Sequence, residues 1–178
     1  MRFTKFAAIL ALPLATTMLA APAAADRKLA SAYVPDARLT GEASLKMLGF
    51  EIFDAELFAP AGHYSPTKPY ALTLEYRRDF SAKSIVDRTV KELGKQGRST
   101  DQQLASWKAD MERIFPDVNE GTRITGIRDK DGNARFFRDG QEIGMIADPA
   151  FSDRFFAIWL GDQASNTAFR RQLTGAAR

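Results

Sequence analysis

Few residues in this chain have the types and spacing that chemistry requires. Its 178 residues include no cysteine and one histidine, His63, in a Pro/Gly-rich stretch. A lone imidazole cannot build a histidine-based metal site, and thiol chemistry is excluded outright. Two carboxylate pairs stand two residues apart, Asp54 with Glu56 and Asp129 with Asp131. That spacing places both members on one face of a strand or in a turn, which reads as a solvated surface rather than an acid/base pair. Asp131 precedes Gly132 and is accounted for by turn chemistry. No Gly-rich phosphate loop occurs. The expectation is no catalytic residue, no metal and no cofactor.

The charged feature that stands out is Arg77-Arg78, at the end of the alternating run Tyr70 to Phe80. Alternation puts Leu72, Leu74, Tyr76 and Arg78 on one face and Thr73, Glu75 and Arg77 on the other. If the apolar face points inward, Tyr76 and Arg78 bring a phenol and a guanidinium to the rim of an apolar space, where they can hold a carboxylate or phenolate. If Arg78 marks the strand's end, only its stem packs. Phe53 and Trp107 are candidate walls for such a space. Trp107, Phe151, Phe155, Phe156 and Trp159 fall at helical spacings that read as core.

The elements that position these residues follow from periodicity. Arg38 to Leu48 and Gly49 to Pro60 read as two extended stretches meeting at Gly49. Residues 60 to 69 read as a loop rich in Pro and Gly. Ser81 caps a helix with an apolar stripe of Ile85, Val86, Thr89, Val90 and Leu93. Thr100 and Gln103 fit a capping box for a second helix carrying Leu104, Trp107, Met111 and Ile114, stopped by Phe115-Pro116. Three short strands, at 122–128, 134–138 and 142–146, are joined by Asp131-Gly132 and Asp139-Gly140 turns into a meander. Asp148-Pro149 opens a helix with Phe151, Phe155, Ile158 and Trp159, closed by Gly161. A last helix spans about 165–173. Residues 26 to 37 show no periodicity and read as an irregular approach to the first strand. The fold class is α+β: an antiparallel sheet with helices packed on one face.

The N-terminus has a different character. Arg2 and Lys5 precede an apolar run from Phe6 to Ala20 and the small residues Ala23-Ala24-Ala25. This order is that of a cleavable signal peptide, and the run is shorter than the ~20 residues a membrane span needs. The expected organisation is a signal peptide over 1–25 and a single domain over 26–178, exported to the periplasm, with no transmembrane segment in the mature form. Processing removes two of the 25 basic residues and none of the 22 acidic ones, leaving a net charge of +1. Such a balance offers no footprint for nucleic acid or for an acidic membrane surface.

Several segments together resemble the bacterial chalcone isomerase-like family: Gly41-Glu42-Ala43, Leu48 to Phe58, Leu74 to Phe80, Phe115 to Val118, Phe136 to Gly140, Gly144, Ile146 to Pro149 and Phe155 to Leu160. The resemblance implies an open-faced sandwich with a cleft between sheet and helices. Plant members of the wider superfamily close a chalcone to a flavanone with an arginine ahead of the Gly-Phe region, whereas other relatives bind fatty acids and catalyse nothing. Here the corresponding segment, Gly41 to Leu45, holds no arginine, and Arg38 and Lys46 are out of register. A site without that cation forgoes oxyanion stabilisation, commonly a few kcal/mol. The expected function is therefore a periplasmic, non-catalytic binding module for a small amphipathic or apolar carboxylate such as a fatty acid, with Arg78 and Tyr76 at its polar end and Phe53 and Trp107 as walls. An intramolecular lyase of the chalcone isomerase type, and a protein-interaction domain with no cleft, are the alternatives.

Overall fold

The structure, a computed structural model, describes residues 22–176. All of the expected signal peptide except Pro22 to Ala25 lies outside the described residues. Six strands, β1 (Ala37–Met47), β2 (Phe50–Pro60), β3 (Tyr70–Tyr76), β4 (Arg123–Arg128), β5 (Ala134–Arg138) and β6 (Gln141–Ile146), form one antiparallel sheet in sequential order. Five helices accompany them: α1 (Pro22–Tyr33), α2 (Ala82–Lys95), α3 (Asp101–Ile114), α4 (Pro149–Leu160) and α5 (Thr167–Thr174).

Local chemistry accounts for most boundaries. The Ser81 hydroxyl accepts from the backbone N–H of Ser84 and starts α2. Thr100 and Gln103 cap each other reciprocally to start α3. Asp148 caps α4 ahead of Pro149, and Asn166 caps α5. Leu48-Gly49 and Asp139-Gly140 both take positive φ and close tight hairpins.

Cross-strand register sets the main core. Phe53 faces Tyr76, Ala55 faces Leu74, and Leu57 faces Leu72, with Ile124 and Gly126 continuing the rows on β4. Helices α2 to α5 cover this face, burying Val86, Leu93, Met111, Phe151, Phe156 and Leu173 against it. Close approach depends on small residues: a Cβ at Gly126 would lie 3.0 Å from the Phe156 ring, and one at Gly41 would lie 2.0 Å from the Gln172 carbonyl oxygen.

Two expectations are corrected. Residues 26 to 33 are not irregular but belong to α1, which packs on the opposite face of the sheet. There Ala30 and Val34 meet Phe58, Ala71, Ile127 and Phe137, and the Tyr33 ring lies tilted 5.5 Å from Phe137. Helices thus cover both faces, four on one and α1 on the other. The second correction concerns Arg78. The ladder stops at Tyr76, so Arg78 lies beyond β3, exposed, with its guanidinium 4.6 Å over the ring of Phe50. The alternation continues in the sequence past the point where the strand has lost its partners.

Candidate functional site

An apolar cavity of about 50 Å³ lies between the sheet and the helices. Leu74 and Tyr76 of β3 and Ile124 of β4 form its sheet wall. Ile85 and Thr89 of α2 and Phe155 and Trp159 of α4 form the helical wall, and Phe115, Pro116 and Val118 close it. Its position follows from the register. Tyr76 is the last residue of β3, and its N–H donates to the Thr122 carbonyl just ahead of β4, so the cavity sits where β3 ends and β4 begins.

Polar groups facing this space are few. The Thr89 hydroxyl donates to the Ile85 carbonyl at 2.8 Å and is spent within α2. Tyr76 is 8 % exposed, and burial alone pushes its phenol up to about 12. Its hydroxyl has no hydrogen-bond partner among the described residues. A neutral phenol set in a largely apolar wall can donate to the oxygen of a carboxyl or carbonyl group. None of the lining residues is basic.

Of the four expected site residues, Phe53 and Tyr76 come together and Trp107 and Arg78 stand apart. Tyr76 lines the cavity. Phe53 stands behind it, its ring 6.1 Å from Tyr76 and 5.9 Å from Phe169. Trp107 is deep in the core, 5.7 Å from Phe151, with its indole N–H donated to Asp148 at 2.8 Å. Arg78 is outside, over Phe50. Most of the walls, Ile85, Thr89, Phe115, Phe155 and Trp159, were legible only as core positions, because helical spacing does not separate a residue that lines a void from one that fills it.

The paired carboxylates are structural. Asp54 accepts from Ser44 at 2.5 Å and from Arg77. Asp129 accepts the backbone N–H groups of Asp131 and Asn133, holding the β4–β5 turn. His63 is exposed. Among the described residues no three His, Cys, Asp or Glu side chains are grouped to hold a metal. Arg38 and Lys46 pair at the surface with Asp36 and Glu51, their side chains 61 % and 60 % exposed. Two wider clefts, of about 290 and 230 Å³, open among charged groups such as Asp110 and Arg113, and Glu92, Lys95 and Arg98.

On the other face, Arg123 ion-pairs with Asp26 and Glu75, and Glu56 approaches its guanidinium at 3.4 Å. Burial pushes the Asp26 and Glu56 carboxyls above their ordinary range despite the Arg123 charge. The cluster ties α1 to the sheet.

Comparison with known proteins places this architecture. The fold is shared with a fatty-acid binding protein of Arabidopsis thaliana, whose crystal structure aligns with a TM-score of 0.64 at 12 % identity, covering 80 % of this chain and 89 % of that one. No curated protein matches the sequence. A family profile described as chalcone isomerase-like matches residues 54–175. With that match spanning more than half of its length, the chain belongs to the chalcone isomerase-like family.

Proposed function

We propose that this chain is an exported, non-catalytic binding protein for a small amphipathic carboxylate such as a fatty acid. The observation that carries the reading is Tyr76, a largely buried phenol that lines a mostly apolar cavity between sheet and helices. The acyl chain runs between Leu74, Ile124, Phe155 and Trp159, and the carboxyl group accepts from the Tyr76 hydroxyl. The fold shared with a fatty-acid binding protein supports it. A volume of about 50 Å³ is far below the ~300–1,000 Å³ of ordinary ligand sites, so entry requires α2 and α4 to move off the sheet. The non-catalytic part rests on the absence of a basic side chain from the lining and on the surface pairing of Arg38 and Lys46.

Native mass spectrometry of the protein recovered from the cell envelope, followed by titration with a fluorescent fatty acid, tests the reading. The expected result is one bound acyl carboxylate per chain and an N-terminus at Asp26. Protein that carries no lipid and leaves the probe's signal unchanged overturns it, and turnover of a chalcone, seen as loss of its long-wavelength absorbance, makes the protein a lyase instead.

A further inference from the structure

Five large apolar side chains are exposed among the described residues, and three of them, Met47, Leu48 and Phe50, sit in the four-residue tip of the β1–β2 hairpin. Leu48 is 96 % exposed and Phe50 57 %. Among the described residues nothing lies within 4 Å of where a Cβ on Gly49 would sit.

Folding does not account for Leu48. Its φ is 50° and that of Gly49 is 82°, the pair of positive values that a tight hairpin demands and that Asn, Asp or Gly adopts with least strain. The same sheet contains a second turn of this kind, Asp139-Gly140, with φ values of 49° and 84° and the favoured aspartate in the first place. At the β1–β2 turn a branched apolar residue occupies the strained position and points into solvent. Neither turn preference nor packing selects it.

The charges around the tip largely cancel, leaving one basic side chain free to meet a phosphate. Lys46 pairs with Glu51 at 2.9 Å, Arg77 pairs with Asp54 and Glu75, and Asp79 accepts the backbone N–H of Glu120. Arg78 has no ion pair among the described residues and lies over the exposed Phe50 ring. A free guanidinium beside an exposed aromatic and two aliphatic side chains is the composition of an interfacial anchor: apolar groups reach the acyl boundary while the cation meets headgroup phosphates. The tip also shares an end of the sheet with two other features. Phe53, three residues past Phe50, pairs with Tyr76 at the cavity. Asp26, near the start of α1, pairs with Arg123 at the start of β4.

We infer that the β1–β2 hairpin tip, with Met47, Leu48, Phe50 and Arg78, docks the protein on a lipid bilayer surface. The inference goes beyond the cavity's ligand and does not depend on it, although docking at this end would bring the Tyr76 end of the cavity toward the lipid.

The test is co-sedimentation of the processed protein with vesicles of mixed phosphatidylcholine and phosphatidylglycerol. Leu48→Asn with Phe50→Ser is the informative variant, because asparagine suits the turn and both positions are exposed, so the fold is retained and circular dichroism verifies it. The wild type is expected to pellet with vesicles and the double variant to bind on the order of tenfold or more weakly. Arg78→Gln is expected to weaken binding roughly fivefold on the mixed vesicles and little on phosphatidylcholine alone. Wild-type protein that stays in the supernatant, or a double variant that pellets equally, overturns the inference. So does a concentration-dependent dimer that the double variant abolishes without any vesicle binding. Fatty-acid titration of the same variants keeps the two readings apart: vesicle binding with no fatty-acid binding sinks the cavity proposal alone.

Discussion

The Trp107 indole donates to Oδ2 of Asp148 at 2.8 Å, while Oδ1 of the same carboxylate accepts the N–H groups of Ala150 and Phe151 at the start of α4. One side chain therefore caps α4 and satisfies a tryptophan that is 3 % exposed, joining α3 to α4 beside the cavity's helical wall. Asp148→Ala should destabilise the protein by about 2–4 kcal/mol, the sum of a lost cap and an orphaned buried N–H. Trp107→Phe, which keeps the aromatic packing but removes the donor, should cost less. Urea unfolding of the two single variants and the double variant measures the coupling, and additive losses would show that the bond contributes nothing.

Gly41 of β1 lies directly against the end of α5. A Cβ there would meet the Gln172 and Leu173 carbonyl oxygens at 2.0 and 2.6 Å, both of them backbone atoms that cannot rotate away. Gly41→Ala should therefore displace the end of α5 and cost about 3 kcal/mol or more. Limited proteolysis within α5, together with the unfolding midpoint, reports it. A variant as stable and as resistant as the wild type would contradict this packing.

Features encoded within a few residues were legible in the sequence: the Thr100/Gln103 box, the Asp148-Pro149 helix start and the Asp139-Gly140 turn each carry their own chemistry. The meander and the α+β class followed from them. Helix α1 was not legible, because an alanine-rich segment with a short apolar stripe reads as processing signal and connector until Phe58, Ala71 and Ile127 provide the surface it covers. For the site, alternation identified Tyr76, but it left open whether Arg78 turns inward or marks the strand's end, which the loss of ladder partners after Tyr76 decides. Trp107 sits at core spacing as read. What removes it from the cavity is its bond to a carboxylate 41 residues away, which no local pattern contains.

The carboxylates around Arg123 predict a pH dependence with a definite sign. Burial raises Glu56 above its ordinary 4.5, so at neutral pH its ionised form costs folding energy that the unfolded chain does not bear. Glu56→Gln should therefore be at least as stable as the wild type at pH 7. That advantage should shrink as pH falls through the raised value and vanish below 4.5, where the wild-type carboxyl is protonated in both states. Paired urea titrations at neutral and acid pH check this. An advantage that grows on acidification would mean that the pairing with Arg123, not burial, dominates at Glu56.

Tyr76 separates the cavity's chemistry from its packing. Because its hydroxyl is unbonded in the fold, Tyr76→Phe should change stability by less than about 1 kcal/mol while weakening an acyl carboxylate roughly three- to tenfold, the worth of one hydrogen bond. The corresponding fatty alcohol or methyl ester should respond less. Leu74→Phe acts differently: it adds volume on the sheet wall, where the adjoining void can absorb part of it, and should abolish acyl-chain binding at a stability cost of about 1–3 kcal/mol. Displacement of a fluorescent fatty acid from the three proteins decides the matter. If Tyr76→Phe binds as tightly as the wild type while Leu74→Phe does not bind, the chain occupies the cavity and its carboxylate lies elsewhere. If both bind normally, the ligand is not in this cavity.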